Sequence, residues 1–239
     1  MTANGEVIKQ IACGRRKPNM TRKEYFDYRF QIHGSISDAP KDPMEKPLAF
    51  FKDVNHLKTT FASEYVKTKV GPDGPFFADF ETTMVLLAQE KVLDLQTRAS
   101  TERAANEDIH DNLVAMYFVS TPTNEREGNE LSQAASPIMI EELNRYASQD
   151  AVGLNVNIGM LSSQFDLNSY FGGSDMPQFA LVYKIFMRSV SSVAAIRKAQ
   201  KAFETRLADK VDAPESFIVF GKEALVLDVD RDIQASLRP

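Results

Sequence analysis

The stretch CGRRKPNMTRKEYFDYRFQIHG, residues 13–34, opens on a basic, proline-marked turn and closes on histidine and glycine. Thr21 is a good helix N-cap, and Glu24 follows three residues later in the reciprocal capping-box arrangement. Met20, just before the cap, and Tyr25 in the first turn are spaced for a hydrophobic staple. At helical spacing Tyr25, Tyr28, Arg29 and Ile32 form one stripe, and Phe26, Phe30 and His33 an adjacent one. Gly34 is expected to end the helix in a left-handed turn. Upstream, Val7 to Cys13 is short and β-compatible, so the segment parses as strand, turn, helix.

Working outward, the first half reads as a strand at 6–13, a helix at 22–33, strands near 58–68 and 81–88, a helix near 89–101 and a strand at 113–120. That order is βαββαβ, the ferredoxin-like unit. The polar, turn-rich segment TPTNEREGNELSQAAS, residues 121–136, serves as a linker. Beyond it follow a helix at Ile138 to Tyr146, strands at Gly153 to Leu161 and Phe179 to Met187, a helix at Ser189 to Leu207 and a strand at Ser216 to Asp228. The second half therefore echoes the first from its helix onward, without an opening strand of its own. Either the strand at 113–120 serves both units or the second unit is incomplete. The resulting division is a unit at 1–122, a linker at 123–137 and a partial unit at 138–239. The alternative is one irregular α+β domain without internal symmetry.

With 239 residues and 43% hydrophobic composition, the chain can bury one substantial core or two small ones. A net charge of −5 and the lack of a basic patch with interleaved aromatics argue against a nucleic-acid partner. No apolar run approaches the roughly 20 residues that span a bilayer, so no membrane partner is expected. The opening MTANGEV lacks the profile of an export signal, and the single cysteine, Cys13, is compatible with a reducing compartment. A cytoplasmic protein is the expectation. No GxGxxG, GxxxxGK[ST] or GxSxG motif occurs, so neither a nucleotide cofactor nor a nucleophile-elbow mechanism is expected.

The 13–34 stretch resembles the start of the EthD domain, a branch of the dimeric α/β-barrel superfamily. The features that carry the resemblance are Arg15-Arg16-Lys17-Pro18, Met20-Thr21, Tyr25-Phe26-Asp27-Tyr28-Arg29 and His33-Gly34. Two later runs follow in family order: Pro75-Phe76-Phe77-Ala78-Asp79-Phe80, and Arg103-Ala104-Ala105-Asn106-Glu107-Asp108 with Asp111. Many members carry Tyr-x-x-x-His on the second strand. Here the equivalent run is Phe61-Ala62-Ser63-Glu64-Tyr65, with Tyr65 where the histidine would stand. The resemblance implies an α+β fold of two tandem ferredoxin-like units closing into an intramolecular, pseudo-dimeric α/β barrel. The chain would then be a monomer with an internal pseudo-dimer, or a homodimer.

Three histidines bear on chemistry. His33 can move a proton near neutral pH, or simply cap its helix against the dipole. His56, expected on a loop before the second strand, can reach the same pocket or face solvent. His110, between Asp108 and Asp111, has no second histidine at ligand spacing, so no metal site is expected. Tyr28 and Tyr65 can donate to a substrate oxygen, Asp79 can act as a base if buried, and Arg29 can steer an anion or pair at the surface. The resemblance implies a cofactor-independent lyase or cyclase acting on an aromatic or polyketide-type intermediate of secondary metabolism. His33, Tyr28 and Asp79 are the catalytic candidates, and Tyr65, His56 and Arg29 the substrate-binding ones. A cofactor-free oxygenase and a non-catalytic small-molecule-binding barrel are the alternatives.

Overall fold

The computed structural model describes residues 7–47, 49–104, 113–161, 177–223, 227–228 and 233–234. The run from Ala105 to Asp111, with His110, and the Gly172-Gly173 pair lie outside them. The protein is α+β, and its strands fall in the order β2-β1-β3-β5-β6-β4-β7, which has two ends and does not close. The described residues form two compact units, one up to Leu87 together with those beyond Leu225, and one of Ala88–Leu161 with Pro177–Ala224. No helix among the described residues is long and apolar enough to cross a membrane.

In the first unit β1 (Ile8–Arg16) pairs antiparallel with β2 (Phe50–Phe51), Ile8 opposite Phe51. On the other side of β1 runs β3 (Ala78–Leu93), whose residues up to Leu87 belong here. Between β1 and β2, α1 (Arg22–Asp27) starts at the expected capping box. Thr21 Oγ1 accepts the Glu24 N–H at 3.2 Å, and the Glu24 carboxylate accepts the Thr21 N–H at 2.7 Å. The helix does not stop at Gly34. It passes through a π-helical turn at Tyr28–His33 into α2 (Gly34–Asp38), with Gly34 in the right-handed region at φ −59° and ψ −45°. The Gly34 N–H is satisfied by the Arg29 carbonyl five residues back, so no left-handed cap is needed.

The strand expected near 58–68 is helical instead. Asp53 caps α3 (Val54–Ala62) by accepting the His56 N–H at 2.8 Å. A second π-helical turn, Val66–Val70, leads into the short α4 (Gly71–Asp73). Leu57, Phe61, Val66 and Val70 are buried at four- to five-residue spacing, with Thr60 buried beside Phe61. Thr60, Phe61, Val66 and Val70, residue types that favour strands, are thus used on a helix face, where packing overrides intrinsic preference. The expected strand at 81–88 is longer, reaching Leu93, because Ala88 to Leu93 pair with β5 (Ala151–Gly159). The helix expected from 89 therefore starts only at α5 (Arg98–Ala104).

The second unit contains β4 (Leu113–Val119), α6 (Asn129–Tyr146), β5, β6 (Leu181–Met187), α7 (Val193–Arg206) and β7 (Phe217–Lys222). From β4 on, its described elements run βαββαβ, and the antiparallel strands among them lie in the order β5-β6-β4-β7. The opening strand missing from the sequence reading is thus β4, assigned there to the first half. Helix α6 begins inside the segment read as a linker and runs through Pro137. Its buried stripe of Ser132, Ala135, Ser136, Met139, Glu142 and Leu143 keeps helical spacing across the proline. The core packs Ala135, Met139 and Leu143 of that stripe with Tyr117, Tyr183, Ile185, Ile196 and Phe203. Tyr117 donates to Glu204 at 2.9 Å, and burial drives its phenol far above the usual range. The two-residue strands β8 (Leu227–Asp228) and β9 (Ile233–Gln234) belong to the first unit and pair with each other.

Candidate active site

All six candidates from the sequence lie in the first unit, and the π-helical turn decides which of them meet. In an α-helix, at about 100° per residue, Tyr28 and His33 would stand about 140° apart. The i→i+5 bonding of Tyr28–His33 widens the turn and brings residues five apart onto one face. Both side chains then reach one carboxylate, that of Asp73. The Tyr28 hydroxyl donates to Oδ1 at 2.8 Å, and His33 Nδ1 lies 2.8 Å from Oδ2. The His33 and Asp73 side chains are 13% and 10% exposed.

Asp73 ends the Gly71-Pro72-Asp73 turn, whose proline sits in the second helical position, still within the first turn where its missing N–H costs nothing. Gly74 follows because Phe80 lies against it: a Cβ there would sit 2.1 Å from the Phe80 ring. The buried Phe77 ring then forms the floor. His33 lies over it at 4.7 Å between centroids, Tyr28 stacks on it at 5.6 Å and 26°, and the Arg29 guanidinium stands 5.7 Å from its centroid.

An ionised Asp73 can only accept, so the proton of neutral His33 sits on Nδ1 and the lone pair on Nε2. That second nitrogen makes no hydrogen bond among the described residues. Burial pushes His33 below the ordinary histidine value, and the Arg29 charge acts in the same direction. The Asp73 hydrogen bond and charge oppose them. Tyr28 is pushed up, by burial first and then by its bond to Asp73, so it remains a protonated donor. Burial also lowers Arg29.

The remaining candidates are placed elsewhere. The Asp79 carboxylate is bound by Arg15 at 2.7 and 3.2 Å, and that bond holds it below the usual carboxylate range. It makes no bond to His33 or Tyr28. Tyr65 immediately precedes the second π-helical turn, and its hydroxyl donates to the Ile36 carbonyl at 3.2 Å. His56 is a buried residue of α3, not a loop residue. Its Nδ1 accepts the Lys52 N–H at 3.2 Å, its Nε2 has no partner among the described residues, and its ring meets Phe51 edge-on at 5.4 Å. Asp73, which the sequence reading passed over, is the group that joins His33 to Tyr28. Its signal was available: an aspartate locked between two Gly-Pro pairs just ahead of an aromatic run.

The direction of the His33 shift sets a pH dependence. The folded chain favours the neutral ring, so protonation favours unfolding. This contribution is complete above the unfolded value of about 6.5 and is lost as the pH falls from there through the lower folded value. Thermal midpoints of the wild type should therefore fall more steeply on acidification below about pH 6.5 than those of His33→Gln. Parallel slopes would show that His33 is not buried as described.

Among the described residues no group of three or more histidine, cysteine, aspartate or glutamate side chains is placed to hold a metal. Comparisons with protein-family models, curated proteins and solved structures found no match.

Proposed function

We propose that the first unit is a cofactor-independent acid–base site, of the EthD type suggested by residues 13–34, that acts as a lyase or cyclase on an enolisable aromatic or polyketide-type substrate. The observation that carries this reading is the Tyr28–Asp73–His33 chain, with Nε2 of His33 left open. Nε2 takes a proton from the carbon beside a carbonyl, and the C–H electron pair moves to the oxygen as an enolate. The imidazolium, stabilised by Asp73, returns that proton to a departing β-hydroxyl, which leaves as water. Such a base contributes roughly 10²- to 10⁴-fold, enough for substrates already activated by their own carbonyls. Asp73 is a positioning residue: it sets the tautomer and orients the ring. Tyr28 completes its hydrogen bonding.

The same reading takes the second unit as ferredoxin-like, from its βαββαβ order, and the first as an altered copy in which helices replace the second strand. A barrel would require the sheet's two ends to be joined, within the chain or by a second copy.

The test needs no natural substrate. In D₂O near neutral pH, the methyl protons of ortho-hydroxyacetophenone should exchange faster with the protein than with buffer alone, followed by NMR. Binding without accelerated exchange would replace this reading with a binding protein. Oxygen uptake linked to loss of the ketone would replace it with an oxygenase.

A further inference from the structure

Arg29 is a partly buried guanidinium whose five N–H donors meet no acceptor among the described residues. Its described contact is the face of Phe77 at 5.7 Å. Among the described residues, Asp73 is committed to Tyr28 and His33, Asp79 to Arg15, and Asp27 to Lys23 at 2.6 Å. A desolvated cation whose donors remain open is costly to keep, and an incoming anion is the partner that offsets that cost.

We infer that the site takes a planar, carboxylate-bearing aromatic substrate, its carboxylate gripped by Arg29 while its reacting carbon faces Nε2 of His33. The inference rests on the acid–base reading for the second of those placements only. A single guanidinium presents parallel donors that match a carboxylate in a fork. A phosphate dianion would call for a second cation, and Arg15 and Lys23 are already paired. The ring has a platform in Phe76, 61% exposed and stacked with Tyr28 at 6.5 Å and 27°.

The probes are benzoate and its neutral counterpart benzamide, titrated calorimetrically into the full chain at pH 7.5. Benzoate should bind on the order of tenfold or more tighter than benzamide, the range of a charge-assisted hydrogen-bonded pair. Arg29→Met should bring benzoate down to the benzamide level, Arg29→Lys should keep part of the preference, and His33→Gln should leave it intact. Equal affinities in the wild type, failure of both to bind, or a preference that survives in Arg29→Met would overturn the inference. The comparison in the wild type decides even if Arg29→Met does not fold. If the preference holds but deuterium exchange is absent, the anion site stands and the proton-transfer reading falls. Exchange without any preference means the reverse.

Discussion

His33→Gln will fold, and will exchange the ketone protons roughly 10²- to 10⁴-fold more slowly than the wild type. Glutamine keeps a donor for Asp73 but offers no titrating nitrogen, so the lone pair at Nε2 disappears while the hydrogen bond survives. Asp73→Asn should lose nearly as much for a different reason. The asparagine amide can donate to Nδ1, which drives the ring proton to Nε2 and removes the base by choosing the wrong tautomer. The two variants are told apart by NMR titration of the ring in Asp73→Asn. Without the carboxylate the His33 value should fall further below the ordinary one, since the bond and charge of Asp73 are what raise it. A folded His33→Gln chain that exchanges protons at the wild-type rate would end the acid–base assignment.

Phe203→Ala will cause the largest loss of stability in the second unit, about 3–5 kcal/mol. The side chain is fully buried, edge-on to Tyr117 at 6.0 Å and 85° and to Tyr183 at 5.8 Å and 79°. Truncation leaves a cavity between two tyrosines whose hydroxyls are tied to Glu204 and Ser136. Those bonds hinder collapse of the rings into the space, which places the loss toward the upper end. Urea unfolding should show it, with Phe203→Leu losing clearly less. A loss below about 1 kcal/mol would mean that the core around Phe203 is not closed as described.

Local signals were legible wherever the chemistry is local. Thr21 and Glu24 specify a capping box by spacing alone, and the structure forms it. Strands such as LVYKIFM at Leu181–Met187 are apolar enough to be read directly. What could not be read depends on partners distant in sequence. Gln89 to Leu93 would suit a helix, and only the ladder with Leu154 to Ile158 makes them strand. Ser132 and Ser136 looked like linker residues, yet they bond to each other at 3.2 Å, and Ser136 to Tyr183, inside the packed face of α6. The site was half legible. His33, Tyr28 and Arg29 were singled out, but the helical wheel set Tyr28 and His33 on different stripes, and the Gly-Pro frame around Asp73 does not tell that its partners lie 40 and 45 residues upstream.

The π-helical turn at Tyr28–His33 means that the alignment of this site is a matter of counting. A wide turn holds one residue more than the α-turn it replaces, so removing any single residue between Arg29 and His33 would let the helix relax to its ordinary pitch. The histidine would then swing away from Asp73 although every side chain of the site remained in the chain. Point substitutions at Phe30, Gln31 or Ile32 leave the count unchanged. In this segment, therefore, length is the inherited quantity: gene variation that preserves the reading frame but alters the number of codons would erase the site, where exchange of letters would spare it.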